Sequence, residues 1–371
     1  MRLSSRFLSR PEAPLPAPQV AVLGAGAWGT ALAAALQRGG CDVTLWARDP
    51  RLAATLASTG SNPRHLPGVR LPRGLQSSAN LAAAVAAAQG VIIAVPSGAV
   101  PAVARQLAPV LPSGTWVLSA AKGLTDTGDV LTTALARECR AAAGAVGAIA
   151  GPSFADEFAR GEPACLALGW HSPSAAARRA SADLQRWLAD AGVELVVEDD
   201  AIGLQLAGVM KNVIALACGL AQGLGLGENA RAALVCRGLA DLRRLTAACG
   251  GRADTLFGPA GVGDLFLTAS SAQSRNTRLG QKLARGMRPD GGELAEGAGS
   301  AERLAKLEHR LGLPLLVPAA VRAVLRGQMA PGHAVEIMLR GEVPVASAAK
   351  GASGGAMQAA GQVQPLVAQP A

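Results

Sequence analysis

The sequence predicts an α/β N-terminal domain of the doubly wound (Rossmann-like) kind, followed by an all-α C-terminal domain. Three observations carry this expectation. Up to residue 200, short apolar runs bounded by turn residues alternate with alanine-rich helical stretches, the pattern of a parallel sheet with helices on both faces. Beyond residue 200 only helical stretches remain. A glycine turn, Gly24-Ala25-Gly26-Ala27-Trp28-Gly29, sits between the first apolar run and the first helix.

Taken in order, residues 1–18 carry Arg2, Arg6 and Arg10, but Pro11, Pro14, Pro16 and Pro18 spoil an amphipathic targeting helix, so this arm is read as a disordered extension. Gln19 to Leu23 reads as a strand and Thr30 to Gln37 as a helix. Apolar runs at Asp42–Trp46, Val91–Val95, Thr115–Ser119, Val146–Ala150, Cys165–Leu168 and Val193–Val197 predict further strands, which completes a dinucleotide-binding domain over 19–200. Helices are expected at Ala201–Gly219, Asn229–Cys249, Ala301–Leu311 and Pro318–Arg326, in a helical substrate and catalytic domain over 201–344. From 345 to 371 the chain is mostly Ala, Gly, Gln, Val and Pro, with no acid and one lysine. Such a composition buries too little apolar surface to offset ordering entropy, and a disordered tail is expected.

Composition narrows the function. Of the 371 residues half are apolar, 16% are charged and 3% are aromatic, with no tyrosine, so the core must be alanine, leucine and valine. The net charge of +9 is spread in single residues and pairs such as Arg178-Arg179, without the clustered basic stripe and stacking aromatics of a nucleic-acid surface. It favours small anionic ligands. Cys41, Cys139, Cys165, Cys218, Cys236 and Cys249 lie far apart with no C-x-x-C pair, so no metal site is expected and a reducing cytoplasm is the plain reading. The longest apolar stretches, 81–100 and 201–227, are broken by Gln, Gly or Lys, and no membrane span is expected.

In Gly24-x-Gly26-x-x-Gly29 the first glycine permits a tight turn, the second lets the backbone approach a pyrophosphate, and the third lets helix and strand pack closely. The helix N-terminus then faces the anion. The second predicted strand runs into Arg48 and Asp49, where an arginine suits an NADP 2′-phosphate and an acid suits an NAD ribose. Arg48 comes first, so NADP is favoured and NAD stays possible; a solvated loop residue is the alternative for Arg48.

Only five of the 35 basic residues are lysines: Lys122, Lys211, Lys282, Lys306 and Lys350. Arginine cannot release a proton near neutral pH, whereas a desolvated lysine can. Lys211 is the sole formal charge between Asp200 and Glu228, on a helix whose Leu206, Val209, Met210 and Val213 form an apolar stripe. With Asn212 it can point away from that stripe into a cleft, as an acid or base, or it can snorkel to solvent. Lys122 ends a predicted strand, at the edge where ligands bind in open α/β sheets, and can equally be a surface lysine. Gly151-Pro152-Ser153-Phe154 offers N–H groups and a hydroxyl to an anion, or an ordinary helix cap. Asp264 with Ser274, Arg275 and Asn276 would suit a phosphate plus neighbouring hydroxyls; a cap with a solvated arginine is the alternative.

Together with the motifs GAGAWGTALA, LWARDP, AVPS, AAKGL, GPSFADE, GVMKNVIA, NARAAL, RGLADLRRL, GVGDLFLT, SAQSRNTRLG and AEGAGSAE, these residues make the chain resemble the bacterial-type NAD(P)-dependent glycerol-3-phosphate dehydrogenase family from about Val20 to Arg340. Departures are Cys236, Pro259 and Glu228. The resemblance implies an oxidoreductase that passes hydride between NAD(P)H and dihydroxyacetone phosphate to form glycerol 3-phosphate for phospholipid synthesis. It implies that Lys211 is the proton donor and acceptor, and that Lys122, Gly151, Ser153, Asp264, Ser274, Arg275 and Asn276 surround the phosphorylated triose. Ala27, Trp28, Arg48, Lys122, Ala155, Arg275 and Glu296 would join the three glycines around the cofactor. A homodimer is expected, because the long apolar helices beyond residue 200 leave room for an interface. A ketopantoate or 6-phosphogluconate type enzyme on the same plan is the rival enzyme, against which stand Lys211 in its motif and the Ser274-Arg275-Asn276 set. A catalytically silent NADPH sensor would have lost one or the other.

Overall fold

The computed structural model describes residues 17–271, 273–287 and 296–341. The expected disorder of 1–18 and 345–371 lies outside them, Ala17 and Pro18 excepted. Among the described residues ten strands form: β1 (Gln19–Leu23), β2 (Asp42–Trp46), β3 (Ser61–Asn62), β4 (Leu66–Arg70), β5 (Gln76–Ser78), β6 (Gly90–Ile93), β7 (Trp116–Ser119), β8 (Ala145–Ala150), β9 (Ala164–Trp170) and β10 (Val193–Glu198). Each apolar run singled out above is one of them. Eight make a single sheet in the order β10-β9-β8-β7-β6-β1-β2-β5, and β3 pairs with β4 as a separate antiparallel ribbon. From β5 across to β8 all neighbours are parallel; β9 runs against β8, and β10 follows β9.

Helices α1 (Ala27–Arg38), α2 (Pro50–Thr59), α3 (Leu81–Val85), α4 (Val100–Leu107), α5 (Leu131–Glu138), α6 (Ala155–Arg160) and α7 (Ala175–Asp190) accompany the sheet. Successive side chains of a strand point to opposite faces. Along β1, accordingly, Val20 and Val22 enter the core shared with Leu32, Leu36 and Trp187, while Ala21 and Leu23 enter the one shared with Val91, Leu107 and Leu135. The edge strand β5 is Gln-Ser-Ser, short and polar, which discourages pairing with another chain.

The remaining helices are α8 (Ala201–Gly223), α9 (Glu228–Ala248), α10 (Asp264–Ser270), α11 (Arg275–Ala284), α12 (Glu296–Leu311), α13 (Leu316–Leu325) and α14 (Pro331–Arg340). Every residue of α8 from Gly203 to Ala221 is buried. The striped reading of this helix was therefore too narrow: it is largely apolar round its whole circumference because helices and the strands β8 and β9 cover it. It is also the one helix among the described residues long and apolar enough to cross a membrane, and 94% of that stretch is buried inside the protein. Gly219 and Gly280 let α8 and α11 touch through their backbones, since a Cβ on Gly219 would fall 2.1 Å from the Thr277 carbonyl oxygen and one on Gly280 2.2 Å from that of Leu216. This contact seats α11 along the C-terminal half of α8.

Asp200 anchors the start of α8. Its Oδ1 accepts from the N–H of Ile202 (3.1 Å) and Gly203 (2.8 Å), and its Oδ2 from the N–H of Arg252 (2.7 Å) and the hydroxyl of Thr255 (3.0 Å). Losing a cap costs about 0.5–2 kcal/mol, and a buried donor left unsatisfied about 1–3 kcal/mol. Asp200→Ala is expected to lose at least ~2 kcal/mol in urea unfolding; a loss below ~0.5 kcal/mol would show that the carboxylate holds nothing together.

Candidate active site

From β1 the chain winds outward one way through β2 to β5, and from β6 the other way through β7 and β8. Ligands of open α/β sheets bind at the strand carboxyl ends where this direction reverses, here between β1 and β6. Gly24 lies there with φ +120°, and a Cβ on it would stand 2.7 Å from the Ala94 carbonyl oxygen. A Cβ on Gly29 would fall 2.0 Å from the Gly24 carbonyl oxygen, whereas one on Gly26 would meet nothing within 4 Å. The outer two glycines are thus required by packing, and the middle one borders open space. Gly26 precedes α1 and supplies no side-chain cap, so the first N–H groups of the helix remain for an anion. These features fit the pyrophosphate of a dinucleotide.

Around this cradle, Ala27 opens α1. Trp28 is half-buried with its ring edge-on to Phe158 at 4.9 Å, its indole N–H is buried without a partner, and the Lys122 ammonium lies 6.0 Å from its ring centroid. Ala155 begins α6. Arg48 is exposed. Asp49, which the sequence left open as a ribose ligand, caps α2 by accepting from the Arg51 N–H (3.0 Å) and lies 3.6 Å from Arg64.

The chemical centre is built on one carboxylate. Asp264, 1% exposed, receives Lys211 on Oδ1 at 2.5 Å and Lys122 on Oδ2 at 2.6 Å. Lys122 follows β7 and Lys211 sits in mid-α8, so the two halves of the chain meet here. The stem of Lys122 lies beside Gly208, where even a Cβ would only reach ordinary contact distance, 3.6 Å. Lys122 also donates to the Gly151 carbonyl (3.0 Å), and Lys211 to the Thr268 hydroxyl (3.0 Å), whose own hydrogen goes to the Asp264 carbonyl (2.7 Å). Two of the three N–H groups of Lys211 are therefore engaged. Burial, then the neighbouring Lys122 ammonium, push the Lys211 amine down to about 8, with Asp264 and more weakly Glu296 opposing the fall.

Of the other expected ligands, Ser153 is half-buried and donates to the Gly151 carbonyl (3.2 Å). Gly151 has φ +151°, and a Cβ there would lie 2.8 Å from the Cys165 carbonyl oxygen. Ser274 caps α11 by accepting from the Thr277 N–H (3.2 Å), and Arg275, the first residue of that helix, is exposed. Asn276 also serves the packing: its Nδ2 donates to Asn212 Oδ1 and its Oδ1 accepts from the Gly297 N–H, both at 2.9 Å. It ties α11 to α8 and α12. Glu296, exposed at the start of α12, adjoins this tie. Thr268 was not singled out from the sequence; its signal is the four-residue spacing from Asp264, which puts both on one helical face.

Comparison with known proteins shows the family to which the chain belongs. The model of the NAD-dependent glycerol-3-phosphate dehydrogenase N-terminus matches residues 19–176, and that of the C-terminus residues 200–336. The chain belongs to this family. It is 39% identical over 329 residues to a glycerol-3-phosphate dehydrogenase [NAD(P)+] of Xanthomonas euvesicatoria, covering 87% of this chain and 95% of that one. It is 42% identical over 309 residues to the protein of that name in Methylobacterium radiotolerans, covering 82% and 91%. Among solved structures, glycerol-3-phosphate dehydrogenase from Coxiella burnetii superimposes with a TM-score of 0.81 at 33% identity, covering 87% of this chain and 99% of that one. The two family segments meet in this structure at Asp264, reached by a lysine from each.

Because the chain has only five lysines, ¹³C labelling of lysine gives a spectrum simple enough to follow each amine. Lys211 is expected to titrate near pH 8. In Asp264→Asn, which removes the opposing carboxylate, its titration should move to lower pH. A midpoint unchanged by that substitution would contradict the electrostatic coupling described here.

Proposed function

We propose that the protein catalyses the reversible, NAD(P)-dependent reduction of dihydroxyacetone phosphate to glycerol 3-phosphate, with Lys211 exchanging the proton. The observation that carries this reading is the buried Lys211–Asp264–Lys122 centre. The dinucleotide would be held by Gly24, Gly26, Ala27, Trp28, Gly29, Arg48, Lys122, Ala155, Arg275 and Glu296, and the triose by Lys122, Gly151, Ser153, Lys211, Asp264, Ser274, Arg275 and Asn276. A bound nicotinamide supplies the hydride to the C2 carbonyl in reduction and takes it back in oxidation. As C2 is reduced, negative charge grows on its oxygen. Lys211 delivers a proton to that oxygen and becomes a neutral amine; in the reverse direction the amine removes the hydroxyl proton. Two ammonium groups against one carboxylate leave a net positive charge that favours the developing alkoxide.

Reduction needs the ammonium form of Lys211 and oxidation the free amine. With its amine near 8, kcat/KM for reduction should fall as pH rises through that value, and for oxidation it should rise. Arg275 stands exposed on the first turn of α11, next to N–H groups that also attract anions, and its planar fork suits phosphate oxygens. Arg48 favours NADPH over NADH, because Asp49 is occupied as a helix cap. The reading extends to a boundary near residue 200 between a dinucleotide-binding domain (19–200) and a catalytic domain (201–344), and to a cytoplasmic homodimer supplying phospholipid synthesis. Phe257 and Phe266, 80% and 72% exposed, offer apolar surface for such pairing.

The test is oxidation of NADPH and of NADH with dihydroxyacetone phosphate beside unphosphorylated dihydroxyacetone. NADPH with the phosphorylated ketone should be the best pair; equal rates with and without the phosphate would defeat the substrate assignment. General acid catalysis is worth ~10²–10⁴ in rate, so Lys211→Ala should lose turnover by about that factor with NADPH affinity near normal. Arg275→Ala should chiefly raise KM for dihydroxyacetone phosphate, and an unmoved KM would remove Arg275 from the phosphate site.

A further inference from the structure

Asn62 lies in the short ribbon β3–β4, outside the set of residues assigned above, and is fully buried. Its Nδ2 donates to the Ala25 carbonyl at 2.9 Å and to the Thr30 hydroxyl at 2.8 Å, while its Oδ1 accepts from the His65 N–H at 3.2 Å. Ala25 is the second residue of the glycine turn, and Thr30 is in the first turn of α1, where its own N–H donates to the Gly26 carbonyl at 3.0 Å. One buried amide therefore grips the turn and the helix that follows it.

The direction of the first of these bonds matters. The Ala25 carbonyl and the Gly26 N–H belong to the same peptide unit, which is trans because the described chain contains no cis bonds. In a trans peptide the C=O and N–H point to opposite sides. Holding the Ala25 oxygen toward Asn62 thus turns the Gly26 N–H away from it. Gly26 is the glycine that borders open space, with nothing within 4 Å of a Cβ built on it. Without Asn62 the buried Ala25 carbonyl would lose this partner, and with it the bond that sets the orientation of that peptide.

We propose that Asn62 is a positioning residue for the dinucleotide: through the Ala25–Gly26 peptide it pre-sets the N–H that meets the pyrophosphate. This rests on the reading of Gly24 to Gly29 as the cofactor cradle. The effect should be confined to cofactor binding, because Asn62 acts on the β1–α1 turn and the proton-transfer centre is built from β7, α8 and α10.

The experiment measures the NADPH dissociation constant by fluorescence, together with kcat at saturating NADPH, KM for dihydroxyacetone phosphate, and Tm. Asn62→Asp keeps the shape and the acceptor for His65 but removes both donors and sets a carboxylate against the Ala25 carbonyl. Asn62→Ser is a milder change should the aspartate variant not fold. Thr30→Val removes only the acceptor on the helix. Each Asn62 variant is expected to raise the NADPH dissociation constant about tenfold or more, with KM for the ketone and kcat at saturating cofactor within about twofold of wild type. Thr30→Val should stay within about threefold on all three. A folded Asn62 variant with wild-type NADPH affinity overturns the proposal. So does one in which KM for the ketone or kcat moves as far as the cofactor constant, since that is what a general loss of structure produces. Wild-type protein that fails to bind NADPH would overturn the cradle reading itself, a distinct result.

Discussion

The bridging of Lys122 and Lys211 by the Asp264 carboxylate is the interaction on which the rest of the site depends. Each lysine comes from a different layer of the molecule, one from the end of a sheet strand and one from the middle of a buried helix. An isolated buried ion is far too costly to desolvate, so each ammonium depends on the carboxylate it meets. A single carboxylate shared by two ammonium groups satisfies them incompletely, and the shortfall is chemically useful. It leaves the centre positive, with a Lys211 amine whose proton affinity burial and the Lys122 ammonium have lowered.

The geometry of that bridge is set by packing remote from it. α8 is sheathed along most of its length, so Lys211 cannot swing out to water as a surface lysine does. Glycines at 219 and 280 bring α11 into backbone contact with α8, and Asn276 then locks α11 to Asn212 and to Gly297, where a Cβ would lie 2.7 Å from the Asn212 carbonyl oxygen. The exposed Arg275 consequently stands on a fixed base. The backbone beneath it is held from two directions, which leaves mobility only in its own side chain.

How far the site was legible in the sequence depends on how local each signal is. Lys211 stood out because an uncharged helix made a single charge conspicuous, and the glycine turn because its spacing encodes a backbone shape. The strands of the main sheet announced themselves as apolar runs, except β5, whose Gln-Ser-Ser carries no apolar pattern. Thr268, Asp200 and Asn62 were missed for a common reason. Each is an ordinary polar residue that matters through partners distant in sequence, as Asp200 does with Arg252 and Thr255, or Asn62 with Ala25. Asn276 was noticed as a ligand; its side chain also joins three helices, a role that no spacing rule encodes.

The scarcity of lysine in this chain acquires its meaning at the same place. Arginine carries nearly all the positive charge elsewhere, in surface pairs such as Arg186 with Asp183 and Arg326 with Glu302, and in exposed positions suited to phosphates. Those tasks ask for a permanent charge and a planar set of donors. The role proposed for Lys211 asks for the opposite, a cation that can give up its proton within a few pH units of neutrality and recover it. An arginine at position 211 would keep the positive field but would stay protonated at every accessible pH, so it could steady an alkoxide and never exchange the proton. The same reasoning places less demand on position 122, whose ammonium serves the Asp264 carboxylate and the Gly151 carbonyl as a fixed donor. Two lysines that look equivalent in sequence are therefore set differently: Lys211 sits in mid-helix with the Thr268 hydroxyl as its second partner, whereas Lys122 comes from the carboxyl end of β7, donates also to the Gly151 carbonyl and lies 6.0 Å from the Trp28 ring centroid.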